Sequence, residues 1–93
     1  SRRVSTGELN RIVDAIRQYQ PPRASRGKTP KVYYATQVGV CPPTIVFFVN
    51  EPKLFDRPYR RYVEGALREA LSLDEVPVRC LFRRRESKYA EES

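Results

Sequence analysis

Four of the nine residues from Arg23 to Lys31 are basic and none is acidic: Arg23, Arg26, Lys28 and Lys31. Near the end of the chain, Arg83, Arg84 and Arg85 follow one another, with Arg79 shortly before. Arg61 lies between these clusters and has no acidic residue four positions away on either side. Guanidinium and ammonium groups at this density suit one kind of chemistry, the holding of phosphate oxygens. Other chemistries lack their parts. Histidine is absent, which removes Ser-His and Cys-His catalysis and the commonest acid/base near neutral pH. Without histidine or a close cysteine pair, no metal site is expected. Neither GxxxxGK[ST] nor GxGxxG occurs, so no phosphate-cradling nucleotide loop is encoded and no cofactor is expected. Gly7, Gly27, Gly39 and Gly65 are never three apart. That also removes the GxxG clamp that grips a nucleic-acid backbone. What remains is the binding of a polyanion, without turnover.

The 93 residues bound one domain with a net charge of +7. Such an excess favours nucleic acid or an acidic surface as partner and says nothing about fold. The stretch from Val32 to Asn50 carries no charge, but Gly39, Pro42 and Pro43 interrupt it, so no membrane span is expected. Cys41 and Cys80 read as free thiols of a reducing cytoplasm, with Cys80 acting as a small apolar side chain. The opening Ser1-Arg2-Arg3 has no methionine and runs almost at once into a helix cap, as an excised piece of a longer protein would.

The elements that must carry the basic groups follow from periodicity. A first helix is predicted over about 6–20. Ser5 and Glu8 form a capping box, and Leu9, Ile12, Val13, Ile16 and Tyr19 form an apolar stripe. Pro21 and Pro22 end it. The basic stretch 23–31 then reads as a mobile loop. Strands are predicted over about 31–38 and 44–49, joined by a hairpin wider than two residues. The second strand is apolar on both faces and hence central. A polar loop, 50–57, leads to a second helix over about 58–71, capped by Asp56 and started by Pro58. Its buried stripe is Tyr59, Tyr62, Val63, Ala66, Leu67, Ala70 and Leu71. Arg60, Glu64 and Arg68 pair at i,i+4 on its wet side. A third strand over about 77–84 turns Val78, Cys80 and Phe82 inward. A βαβ crossover makes it parallel to the second strand.

The fold class predicted is therefore α+β, with the order α-β-β-α-β and two helices on one face of a three-stranded mixed sheet. Residues 1–86 form the domain and 87–93 a disordered charged tail. Alternation assigns Tyr33, Gln37, Arg79 and Arg83 to the sheet's second face.

The segments YYATQVGVCPPT (33–44), FFVN (47–50), YRRYVEGALRE (59–69) and VPVRCLFR (76–83) resemble the carboxy-terminal KH-like domain of the Der, or EngA, family of bacterial double GTPases. The opening STGELNRIV is similar to the segment after that family's second GTPase domain. This resemblance implies a KH-like fold and cytoplasmic work on the large ribosomal subunit, with ribosomal RNA as partner. GTP and magnesium would belong to two GTPase domains outside these residues, and the fragment itself would be no enzyme. It also implies that the loop 50–58 stands where an ordinary KH domain has a helix and its GxxG.

Two functional readings result. In the first, Arg23, Arg26, Lys28, Lys31, Arg61, Arg83, Arg84 and Arg85 hold RNA phosphates, on a fragment that is monomeric by itself. In the second, Tyr33, Gln37 and Arg79 dock on the neighbouring GTPase domains of the same chain and couple nucleotide state to ribosome binding.

Overall fold

The structure, a computed structural model, describes residues 3–86, and the tail expected at 87–93 lies outside the described residues. The elements are α1 (Thr6–Tyr19), β1 (Val32–Val40), β2 (Pro43–Val49), a short 3-10 helix (Pro52–Leu54), α2 (Arg57–Ala70) and β3 (Arg79–Arg84). The sheet order is β1-β2-β3, with β2 antiparallel to β1 and parallel to β3. The order α-β-β-α-β and the central place of β2 are as the sequence predicts.

Each α-helix begins on a side-chain cap. The Ser5 hydroxyl accepts from the Glu8 N–H at 3.2 Å, and the Asp56 carboxylate accepts from the Tyr59 N–H at 2.9 Å. Both helices pack on one face of the sheet. Leu9, Val13 and Ile16 of α1 and Tyr59, Val63 and Leu67 of α2 meet Ala35, Ile45, Phe47, Val49, Val78 and Phe82 in one core. Phe47 stacks on Phe82 with ring centroids 4.9 Å apart. Burying one such side chain stabilises the fold by roughly 1.5–3 kcal/mol.

Tyr19 is not in this core and is 86% exposed. The buried series Leu9, Val13, Ile16 steps by four and then three. Its next member is Gln20, the C-cap, and Tyr19 falls beside it. Ala70 is likewise exposed at the end of α2. The hairpin is tighter than expected. Val40 pairs with Pro43, leaving Cys41 and Pro42, joined by a cis peptide bond, as the whole connection.

The faces of β1 differ from simple alternation. Register shifts fall between Val32 and Tyr34 and between Gln37 and Gly39. A one-residue bulge inverts every later side chain. Val32 packs toward the core, Ala35 and Gln37 are buried beneath α1, and Tyr34 and Thr36 face away from the helices. Gln37 is therefore not on the open face. Its Oε1 accepts from the Val4 N–H at 2.8 Å, and its Nε2 donates to the Gly39 carbonyl at 2.9 Å. These bonds fasten the chain's start to β1, and a buried amide has to be satisfied in this way.

Asn10 secures the same junction. Its Nδ2 donates to the Ala35 carbonyl at 2.9 Å and its Oδ1 accepts from the Ala35 N–H at 2.8 Å. The free edge of β1 is thus partly closed by a side chain of α1, a common need of edge strands.

Candidate nucleic-acid interface

The stretch 23–31 is more ordered than an open loop. Ser25 N–H donates to the Lys28 carbonyl at 2.8 Å, and Lys28 N–H donates to the Ser25 carbonyl at 2.9 Å. The two residues between, Arg26 and Gly27, have φ of 53° and 76°. That is the primed turn of a tight hairpin, where a glycine removes the steric cost of the left-handed backbone. Arg26 and Lys28 are exposed on it.

Asn50 anchors the root of this turn. Its Nδ2 donates to the Thr29 carbonyl at 2.9 Å, its Oδ1 accepts from the Lys31 N–H at 3.0 Å, and its own N–H donates to the Lys31 carbonyl at 3.1 Å. One residue earlier, the Val49 carbonyl accepts from the Arg85 N–H at 2.9 Å. The fold thereby gathers Lys31, Arg83, Arg84 and Arg85 at one end of the sheet, although some fifty residues separate the two stretches.

A groove of about 680 Å³ runs beside the turn. Pro21, Pro22 and Arg23 line one wall, and Lys53, Leu54 and Pro58 line the other. Arg23 and Lys53 thus share a concave surface at the N-terminus of α2. Lys53 was not singled out from the sequence, where it is one charge in a polar loop, and only its place across the groove gives it interest. Arg61 lies elsewhere, in a second depression with Tyr62, Gly65 and Arg68.

Ion pairing separates the candidates. Among the described residues, only Arg17–Asp14 and Arg84–Glu51 form salt bridges. Arg84 is thus partly neutralised by Glu51, whereas the other candidates pair with no carboxylate among the described residues. It points to the helix side of β3, where alternation puts it with Cys80 and Phe82. Arg85 lies over the Tyr33 ring, 3.6 Å from its centroid, a cation–π contact that leaves its charge intact.

The predicted i,i+4 pairs of α2 do not form among the described residues. Arg60 turns instead toward the short 3-10 helix. Its Nε donates to the Phe55 carbonyl at 2.8 Å and one terminal nitrogen to the Pro52 carbonyl at 2.7 Å, while its guanidinium lies 4.4 Å from the Phe82 ring centroid. These two carbonyls and the Phe82 ring, rather than the Glu64 carboxylate, occupy the guanidinium. Arg60 therefore braces the groove wall and is not a free charge.

Residues 3–83 match the family described as KH-domain-like of EngA bacterial GTPase enzymes, C-terminal. The chain belongs to this family. Among its curated relatives, GTPase Der of Gloeobacter violaceus is 51% identical over 83 residues, which cover 88% of this chain and 18% of that protein. GTPase Der of Desulforudis audaxviator is 49% identical over 87 residues, covering 94% of this chain and 20% of that protein. GTPase Der of Natranaerobius thermophilus is 43% identical over 83 residues, covering 89% and 19%. The chain spans about one fifth of the length of these relatives. What it matches is the KH-like part, whose short 3-10 helix and α2 N-terminus border the groove without a GxxG. No helix among the described residues is long and apolar enough to cross a membrane.

Proposed function

We propose that this KH-like chain is an accessory RNA-binding domain, and that the protein containing it is a GTPase acting in the cytoplasm on assembly of the large ribosomal subunit. GTP and magnesium belong, in this reading, to the other four fifths of the relatives' length. The observation that carries it is the unpaired charge. Arg23, Arg26, Lys28, Lys31, Arg61, Arg83 and Arg85 have no carboxylate within salt-bridge distance among the described residues. Lys31, Arg83 and Arg85 also converge at one end of the sheet. Cations left in this state can neutralise phosphates and so release the counterions condensed on a nucleic acid. Arg84, held by Glu51, is the weakest member of the set.

The test is a salt titration of binding to a ribosomal RNA fragment. Log affinity is expected to fall linearly with log salt, by roughly 0.7–0.9 per phosphate contacted. Replacing Arg23, Arg26 and Lys28 together by Gln is expected to flatten that slope by about 2 to 3. A slope near zero for the unmodified chain contradicts the reading.

Docking on neighbouring GTPase domains has less support. Of its three residues, Gln37 is buried, and only Tyr33 and Arg79 are exposed.

A further inference from the structure

The face of the sheet turned away from both helices has a composition that neither a solvated surface nor a closed core requires. The pairing register lays it out in rows. Tyr34, Phe48 and Arg83 stand side by side across the three strands, and Thr36, Val46 and Leu81 form the next row. Thr44 and Arg79 follow. The Tyr34 and Phe48 rings stack at 4.7 Å with 24° between their planes, and Tyr34 is 43% exposed. Val46 is only 4% exposed although neither α1 nor α2 lies over it, so its neighbours in the rows shield it. Beyond the first row stand Arg85 and the Tyr33 ring beneath it.

Two features select the occupant. The three strands contain no Asp or Glu at all, and Arg79 and Arg83 pair with no carboxylate among the described residues. An acidic or apolar protein surface would satisfy half of this arrangement. A ligand that joins flat apolar rings to regularly spaced anions satisfies all of it. We infer that the open sheet face is a stacking platform for unpaired bases of single-stranded RNA: a base stacks on the exposed ring of Tyr34, which Phe48 backs, and Arg79 and Arg83 hold flanking phosphates. Four residues along a strand separate the two arginines by roughly 13 Å. Aromatic stacking accepts any base, because every base has a π face. The platform therefore adds affinity for unpaired RNA without sequence preference and without a GxxG. It rests on the reading that this chain meets RNA, and places on the sheet a contact that the basic turn and groove do not supply.

The experiment uses the 93-residue chain with two probes, a twelve-nucleotide oligouridylate and inorganic polyphosphate of equal charge. The oligonucleotide is expected to bind more tightly. Tyr34→Ala is expected to weaken oligonucleotide binding at least about fivefold, to leave polyphosphate binding unchanged and to keep the thermal midpoint near that of the parent, because the ring is substantially exposed. Tyr34→Phe retains the ring and should bind as the parent does. Arg83→Gln should weaken both probes and lower the oligonucleotide's salt slope by about 0.7.

Equal affinity for the two probes, or an oligonucleotide affinity that Tyr34→Ala does not change, overturns the platform and leaves the phosphate-binding reading standing. Failure of both probes to bind overturns both. Protection of Tyr34 and Leu81 by the GTPase portion of a relative, with no change on adding oligonucleotide, assigns the face to a protein and overturns the inference as well.

Discussion

The two faces of one small sheet both carry apolar side chains and are opposite in use. On the inner face, Ala35, Ile45, Phe47 and Val49 are each at most 1% exposed, because α1 and α2 cover them. On the outer face, alternate residues of the same strands place Tyr34, Phe48, Val46 and Leu81 where no helix reaches. Hydrophobicity alone does not tell a surface closed by its own chain from one left open. The margins do. Inner-face apolar residues are bordered by amides that close on backbone, Asn10 on Ala35 and Gln37 on Val4. Outer-face residues are bordered by arginines that pair with no carboxylate among the described residues. A face that ends in satisfied hydrogen bonds is finished, whereas one that ends in unpaired charge still has favourable contacts to make.

The sharpest way to break this contrast is to truncate neighbouring phenylalanines that point in opposite directions. Phe47→Ala removes a ring stacked on Phe82 inside the core and is expected to cost about 3–5 kcal/mol, enough to unfold much of a domain this size. Phe48→Ala, one residue on, should cost less than half as much. Urea midpoints would measure both. Equal losses would mean that the outer face is as much a core as the inner one.

Next in size is Asn10→Ala, which strips the Ala35 N–H and carbonyl of their partners. A loss of roughly 1–3 kcal/mol is expected, with RNA affinity unchanged when the folded fraction is held constant. Loss of binding by folded Asn10→Ala protein would show that the closed side takes part in recognition.

Gly65→Ala runs the other way. A Cβ there meets nothing within 4 Å, so the helix gains about 0.5–1 kcal/mol. A destabilised variant would show that the depression beside Gly65 is tighter than its geometry says.

The smallest effect at neutral pH comes from the buried titrating groups. Burial, with the Glu64 carboxylate adding to it, pushes the Cys80 thiol up to about 12. Burial, then Tyr62, pushes the Tyr59 hydroxyl up to about 12, opposed by Arg17. Both groups are neutral when folded and ionise more readily when unfolded. Their contribution is therefore complete below the unfolded values, near 9 and 10, and disappears as pH rises to 12. Thermal midpoints should be flat through neutral pH and fall between about 9 and 12, less steeply in Tyr59→Phe. That variant should also be no less stable at pH 7, because the Tyr59 hydroxyl is buried without a hydrogen-bond partner among the described residues. At pH 8 an alkylating reagent should modify exposed Cys41 well before Cys80.

Much of the architecture was legible in the chain. Caps at Ser5 and Asp56, stops at Pro21 and Pro22, and period-2 runs on either side of Cys41-Pro42 depend on neighbours a few residues away, and these placed both α-helices and all three strands to within about two residues, though not the short 3-10 helix inside the loop 50–57. The errors arose where one residue's fate hung on a distant partner. Alternation put Gln37 outside, but the bulge between Val32 and Tyr34 turned it inward to meet Val4. Helical spacing gave Arg60 to Glu64, but the carbonyls of Pro52 and Phe55 took it. Arg84 looked like its neighbours until Glu51 came beside it.

The candidate site divides in the same way. Composition alone determined that this chain carries an excess of positive charge, with no histidine, no close cysteine pair and no nucleotide loop. Those are properties of the list of residues, and folding does not alter them. Which charges stand together, which is neutralised, and which aromatic rings remain uncovered were decided only in three dimensions. Charge interactions act over a few ångströms of space, and a single bulge decides on which side of a sheet a side chain spends its life.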